Sequence, residues 1–281
     1  MNDPVYQLPE STGDDIRKMM VWLAWFFGFA TLLAILFIIY APVLLKWVPF
    51  SAEKNFVRPY EEIADRFWGE NSHPEIEEYL QNLSNELAIA IELPEEIEIQ
   101  THFIESDEIN AFATLGGHIF ITRGLLEAVD NENSLSMVIA HELAHQKHRD
   151  PITGLSRGIA LQMIYSLISS DYSQIDLSGV GGELGLLYFS REQEQNADEA
   201  AIYALNKHYG HVGGYDQFFQ AVLEVEDSEG VSIPQWLSSH PDTLKRIDYL
   251  QALNTENGWT QGETHPISKE ILQVFYQEES E

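Results

Sequence analysis

The residues of this chain whose types and spacing could do chemistry begin with His141-Glu142-Leu143-Ala144-His145. A separation of i, i+4 puts His141 and His145 on one face of a helix, a turn apart. Two imidazoles placed so can each offer a nitrogen to a single Zn²⁺ at about 2.0–2.1 Å. Glu142, beside the first histidine, is in such sites a base for water rather than a ligand. The metal lowers the pKa of its water to about 7, and Glu142 can then accept a proton during attack on a carbonyl. Ile139, Ala140, Leu143 and Ala144 make the segment apolar around the histidines, as a buried active-site helix requires. The bland alternative is a surface helix with two exposed histidines.

A catalytic zinc takes three protein ligands and keeps one position open. The chain has no cysteine, which excludes disulfides, thiol catalysis and thiolate metal sites. The third ligand must therefore be His, Glu or Asp on another element. Glu194 is the best candidate, in Ser190-Arg191-Glu192-Gln193-Glu194-Gln195-Asn196-Ala197-Asp198. Asp198 lies a helical turn beyond it and can accept the second N–H of a ligating histidine. On these residues alone the competing reading is an acidic, solvated face, because Glu192, Glu194, Asp198 and Glu199 crowd together.

These segments, with two others, resemble peptidase family M48, the HtpX-like zinc metallopeptidases that also include the CAAX prenyl proteases. Asn110-Ala111-Phe112-Ala113 with Gly116-Gly117-His118-Ile119 is similar to the family's stretch before the active-site helix. His141–His145 is similar to its zinc motif, and Ser190-Arg191-x-x-Glu194-x-x-Ala197-Asp198 to its second motif. Ser239-His240-Pro241, with Arg246 and Ile247 after it, is similar to its C-terminal His-Pro segment. The resemblance spans about Asn110 to Leu250. It implies one Zn²⁺ per chain on His141, His145 and Glu194, with Glu142 as general base and Asp198 behind a ligand. It implies that an edge strand pairs with an extended substrate, drawn here from Ala111, Phe112, Ala113, Thr114, Gly116 and Gly117 or from His118–Ile121. It also implies that His240 and Arg246 lie near the metal, where either could stabilise an oxyanion. His240 could instead fill the open zinc position and hold a latent state.

The elements that must position these residues are legible as periodicity. Ile76, Leu80, Leu83, Leu87 and Ile91 repeat at helical spacing over Glu75–Ile91. Alternation predicts a strand at Ile97–Ile104, and Gly116-Gly117 separates two more at Ala111–Leu115 and His118–Thr122. Asn133-Ser134 can cap a helix running to His148, stopped by Asp150-Pro151. Gly158–Ile168 and Leu184–Leu205 read as helices, 169–182 as a Ser/Gly loop and Gly210–Gly214 as a turn. Tyr215–Val225 and Thr243–Leu253 read as helices, and Pro234–Pro241 as loop. Strands early and helices late give an α+β class: a mostly helical, zincin-type domain with a small β-sheet ahead of the active-site helix. Gly154-Leu155-Ser156-Arg157-Gly158 fits a serine-hydrolase elbow by spacing, but it lacks the preceding strand. His73, His118, His208, His211 and His265 have no ligand-type partner spacing; His148, one turn past His145 at i+3, is expected to point elsewhere, and His102 in the predicted strand is assigned no role.

Met19–Leu45 carries no charge and outspans the roughly 30 Å hydrocarbon core of a bilayer. Trp22, Trp25, Tyr40 and Trp47 lie towards its ends, as interfacial aromatics do. It is too long for a cleaved signal peptide and no small-x-small site follows. The expected organisation is a polar tail at 1–18, a transmembrane anchor at 19–45, a juxtamembrane linker at 46–60 and a metallopeptidase domain at 61–281. Flanking charges give only a slight bias, towards the tail inside and the domain outside. With the family resemblance, this places the protein in a bacterial inner membrane with its domain on the periplasmic side. The balance of 45 Asp+Glu against 15 Lys+Arg, a net charge of −30, repels nucleic acid and argues against anionic headgroups. It fits solubility or a salty habitat.

The resulting expectation is a membrane-anchored zinc metalloendopeptidase acting on protein or peptide substrates, with envelope quality control suggested by the family. The alternatives are a prenyl-protein processing enzyme, which a single anchor disfavours, and a zinc-bound scaffold, which has no use for Glu142.

Overall fold

The computed structural model describes residues 12–53, 73–154, 189–226, 235–240, 242–268 and 271. The tail at 1–11, the linker at 54–60, the helix at 158–168, the loop at 169–182 and the serine-elbow residues 155–158 lie outside them.

Helix α1, Thr12–Leu45, starts before the uncharged run, so residues 12–18, expected in the tail, form its first turns. It is long and apolar enough to cross a membrane, with a mean hydropathy of 2.4 over Gly13–Ala41 and large apolar side chains exposed along its length. Trp22, Trp25 and Trp47 are among its most exposed side chains and those of the segment following it.

Helix α2, Pro74–Ala90, forms where the helical repeat predicts it. Pro74 opens it, Glu75 and Glu77 sit in its first turn, and Ile76, Leu80, Leu83 and Leu87 are buried along one face. Strand β1 is shorter than its alternation suggests: only Gln100–Ile104 pairs, although Ile97 is still buried. Strands β2, Ala111–Ala113, and β3, His118–Thr122, flank a 3₁₀ turn at Leu115–Gly117. The sheet order is β1-β3-β2, with β1 parallel and β2 antiparallel to β3. The centre is therefore β3 and not β2. Among the described residues β2 has a free side, whereas His118–Ile121 pairs on both sides.

Helix α3, Arg123–Ala128, follows β3 directly; the sequence reading had no element there. Helix α4, Glu132–His148, carries the His-Glu-x-x-His segment. Its cap is Asn131, whose side chain accepts from Ser134 N, two residues earlier than the cap expected at Asn133-Ser134. From Asn133 to Gln146 every residue is buried, as for a helix packed on all sides. Helix α5, Arg191–Tyr209, starts with a capping box of Ser190 and Gln193 and ends at Gly210, φ +76°. Its inner face of Glu194, Ala197, Asp198, Ala201, Ile202 and Leu205 is buried and packs on α4. Small alanines let the two backbones approach, and Glu194 and Asp198 enter the core on the same face.

Helix α6, Gln217–Glu226, starts two residues after the expected Tyr215. Residues 235–239, expected in a loop, form a short helix α7, Gln235–Ser239; the flanking Pro234 and Pro241 lie outside the described residues. The reason is Trp236: fully buried against Phe218 and Phe219, it secures a turn of helix that local propensity does not favour. Helix α8, Thr243–Asn257, closes the body. The following segment returns along the start of α4, where Glu132 N donates to His265 O and His265 N to Asn133 Oδ1. One apolar core joins α2, the sheet, α4, α5, α6 and α8, giving the α+β class expected.

Candidate metal centre

The fold brings four ligand-type side chains together. His141 and His145 from α4, Glu194 from α5 and His240 from just after α7 each place one donor atom within 4.8 Å of the others. All four are buried. The Nε2 atoms of His141 and His145 are 3.1 Å apart, and His240 Nδ1 is 3.3 Å from His141 Nε2. Glu194 Oε1 and Oε2 both lie 3.0 Å from His240 Nδ1, and each lies 3.5 Å from one α4 histidine.

The outward nitrogens of the two α4 histidines are held by carboxylates. His141 Nδ1 is 2.9 Å from Asp198 Oδ1, the pairing anticipated from helix spacing. His145 Nδ1 is 3.0 Å from Asp150 Oδ2, a partner the sequence reading missed. Asp150 also accepts from Gln193 Nε2 at 2.7 Å, so it joins the metal helix to the capping box of α5. Each histidine thus turns its Nε2 towards the shared space.

Arg246 from α8 is buried and committed to carboxylates. Its Nε and Nη2 donate to Asp198 at 2.7 and 2.6 Å, a bidentate pair. Its Nη1 is 2.9 Å from Glu194 Oε2. The guanidinium carbon sits 4.6 Å from the Trp236 ring centroid and 5.0 Å from that of Phe219, cation–π contacts that favour a buried charge. The Trp236 ring also stacks on His240 at 4.8 Å, and Phe189 on His145 at 3.8 Å.

Burial works against charge at every one of these groups; the partners outweigh it at Glu194, Asp198 and His145, and burial prevails at His240. Burial would raise Glu194, but His240 and Arg246 hold it well below the usual carboxylate range. Asp198 is likewise lowered by Arg246 and His141 against the effect of burial. Burial would lower His145, yet hydrogen bonds to Asp150 and Glu194 push it up to about 10. Burial depresses His240 in spite of Glu194 and Glu142.

The donor chemistry fits a metal ion. Imidazole nitrogens and a carboxylate oxygen are the ligand set of zinc and its first-row neighbours. Among the described residues, the wholly buried Glu142 has both carboxylate oxygens without a hydrogen-bond partner, and His240 Nε2 is likewise without one; these face each other at 3.6 Å. Buried polar atoms left unpaired are costly, and a water or a substrate group beside them would satisfy them.

The other residues expected at the site sit on its rim. Ala111, Phe112 and Ala113 form the edge strand β2, which packs on α4. Thr114 O and His118 O both accept from Gln146 Nε2, at 2.6 and 3.1 Å, one residue past His145. Gly116 and Gly117 have φ of +78° and +88°, and a side chain on Gly117 would meet Glu98 O at 2.0 Å. Elsewhere, His102 pairs with His118 at 2.9 Å, away from the four-residue cluster.

The family model for peptidase family M48 matches residues 74–254. Among similar proteins, the beta-barrel assembly-enhancing protease of Yersinia pestis is 27% identical over 220 residues, covering 72% of this chain and 43% of that protein. The mitochondrial metalloendopeptidase OMA1 of Homo sapiens is 28% identical over 165 residues, 54% of this chain and 32% of that one. The mitochondrial metalloendopeptidase OMA1 of Schizosaccharomyces pombe is 27% identical over 166 residues, 58% and 49%. The chain thus spans less than half the length of these curated relatives.

Proposed function

The chain belongs to peptidase family M48, and from that premise we propose that it is a membrane-anchored zinc metalloendopeptidase. The observation that carries this reading is the buried cluster of His141, His145 and Glu194 beside Glu142, whose carboxylate has no hydrogen-bond partner among the described residues and lies 3.6 Å from His240 Nε2. His141, His145 and Glu194 would hold the zinc, with Asp198 and Asp150 fixing the histidine rings. Bound there, zinc supplies a Lewis acid that polarises a carbonyl and acidifies water.

Glu142 is the general base. Water attacking the peptide carbonyl gives its proton to the Glu142 carboxylate as the oxygen–carbon bond forms. The carbon–nitrogen bond then breaks, and the proton passes to the departing amine. Among the described residues neither Glu142 oxygen makes a hydrogen bond, so neither must first leave a donor there. Arg246 serves by holding Asp198 through Nε and Nη2; its Nη1 is ion-paired with Glu194 without a hydrogen bond among the described residues, so Nη1 is the part of the fork that could still serve an oxyanion. Substrate would lie extended along β2. In an antiparallel ladder the residues opposite each other alternate in bonding. Because Thr114 N reaches His118 O and Thr122 N reaches Asn110 O, Phe112 faces β3, while the N–H and C=O of Ala111 and Ala113 point to the open side.

His240 supports a second reading, a latent state. Its Nδ1 lies among the donor atoms, 3.0 Å from both Glu194 oxygens, where it would compete for the open position. Replacing it with alanine should then raise activity; a loss of activity would instead favour the oxyanion role. Unchanged activity with unchanged zinc affinity removes both.

Protein substrates follow from the family. Envelope or membrane proteins as targets are supported by α1 and by the similarity to a beta-barrel assembly-enhancing protease, and the domain on the periplasmic side is part of the same proposal. The test is casein cleavage by the full chain with and without a chelator, beside Glu142→Gln. We expect chelator-sensitive cleavage and a loss of at least about 10²-fold in the variant. If Glu142→Gln cleaves as well as the parent, the mechanism is wrong.

A further inference from the structure

The segment after α1 is built into the rim of the metal centre. Residues 46–53 were expected to be linker, yet Phe50 and Glu53 are 4% and 3% exposed. Leu45 and Val48 pack on a second apolar cluster of Ile104, Phe112, Leu115, Phe120 and Ile152. Lys46 Nζ approaches Asp150 Oδ1 at 3.7 Å. Arg149, the left-handed cap of α4 at φ +60°, donates through Nη2 to Val48 O at 3.0 Å and to Glu53 Oε2 at 2.6 Å. Its guanidinium also lies over the Phe50 ring at 5.6 Å. The other Glu53 oxygen, Oε1, accepts from Gly116 N at 2.8 Å.

Glu53 therefore bridges two parts of the centre that α4 itself does not join from this side. One is the C-terminus of the metal helix, at Arg149. The other is the Gly116-Gly117 turn at the end of β2. From the inner side the same turn is held by Gln146, through Thr114 O and His118 O. Two consecutive glycines at positive φ have wide conformational freedom, so contacts must define this turn. They are Gln146 within, Glu98 O and the Phe50 ring at Gly117, and Glu53 at Gly116. A carboxylate is almost never this buried unless paired; here burial raises its pKa in spite of Arg149. An apolar side chain would avoid that cost but could hold neither donor.

We infer that Glu53 is a positioning residue for substrate: it ties the β2 turn to the end of the metal helix and so fixes the height of the β2 edge above the ligand cluster. The membrane-proximal segment is then part of the binding site. This inference rests on the peptidase reading for its consequence, though the tie itself does not.

The test uses the full chain in detergent or nanodiscs, in the non-cleaving Glu142→Gln background. Binding of a fluorescent ten-residue extended peptide and amide exchange at residues 115–118 are measured for Glu53→Ala, Glu53→Asp and Glu53→Gln. Glu53→Ala should bind the peptide about tenfold more weakly, exchange the Gly116 amide faster and keep its full zinc content. Glu53→Gln, which still offers an oxygen to Gly116 N but turns its NH2 towards the Arg149 guanidinium, keeps half of the tie and should recover only part of the affinity. Glu53→Asp, a methylene too short to span Gly116 and Arg149, should behave like alanine and stands in for it should alanine fail to fold. With Glu142 restored, the loss should fall on KM and leave kcat. Equal peptide binding by parent and both short variants overturns the inference, as does no gain from glutamine, or loss of zinc in step with binding. If the parent background binds no peptide at all, the peptidase reading fails instead, and unchanged Gly116 exchange in Glu53→Ala then sinks the tie independently.

Discussion

Each α4 histidine has its own carboxylate, and the two carboxylates have different second duties. Asp198 is shared with the buried Arg246, whereas Asp150 is shared with Gln193 and, more distantly, Lys46. The same substitution should therefore have different effects at the two sites. Asp150→Ala should weaken zinc binding about 10–100-fold with a modest loss of stability, read by competition with a chromophoric chelator. Asp198→Ala should weaken zinc similarly and also unfold more easily by about 3 kcal/mol or more, because it strips a buried cation of its bidentate partner. Urea titrations in chelator check this; equal stability of the two variants would contradict the division of roles. Asp198 was legible in the sequence because it lies a helical turn from Glu194. Asp150 was not. It follows a residue that takes up the left-handed conformation, Arg149, and the reversal there carries it back beside His145, where helical spacing cannot place it. Asp150-Pro151 was legible only as a helix stop. His240 and Arg246 were reached through family resemblance, since no local spacing connects α7 and α8 to α4.

Among the elements, α2, α5 and α8 were legible because each buries a repeating apolar or small-residue face, whereas α4, buried on all sides from Asn133 to Gln146, was legible from its capping residues, its apolar content and the Asp150-Pro151 stop. Sheet order was not. Three short strands with similar alternation do not say which lies in the middle, and here β3 pairs with both earlier strands, parallel to β1 and antiparallel to β2. The helix at 235–239 was hidden for a related reason: one tryptophan packing on Phe218 and Phe219 sets it, and a single residue has no period. The start of α4 offers a test at this scale. Asn131 caps the helix by accepting from Ser134 N at 2.9 Å and also donates to Gln217 on α6. Asn131→Ala should cost about 1–2 kcal/mol in urea unfolding, with α4 still formed by circular dichroism. The β2–β3 turn should be less forgiving. Gly117→Ala combines φ +88° with a Cβ 2.0 Å from Glu98 O, so the backbone itself must move. We expect a loss beyond the roughly 1–3 kcal/mol of left-handed strain alone, together with weakened peptide binding. A thermal midpoint equal to that of the parent would show that the turn has room the structure denies it.

At the scale of the whole molecule two opposed surfaces meet. Helix α1 presents an apolar cylinder with exposed Trp22 and Trp25, while the chain as a whole carries a net charge of −30. A body so charged repels itself, and compaction brings like charges closer than they are in the unfolded chain. Added salt shortens the screening length from about 30 Å at 0.01 M to about 3 Å at 1 M, so it relieves this repulsion more in the folded state. The buried contacts of the metal centre respond differently. Arg246, Asp198 and Glu194 are 5% exposed or less, and pairs removed from solvent are screened little. Raising NaCl across that range should therefore raise the thermal midpoint of the detergent-solubilised chain, while its retained zinc per chain stays constant. Salts also act through solvent cohesion, so the comparison needs a partner: a variant with about ten exposed Glu or Asp changed to Gln or Asn should have a higher midpoint at low salt and a flatter response. A midpoint that falls or stays level with NaCl, or a neutralised variant that keeps the same slope, would show that the acidic surface is not what limits the stability of the folded state.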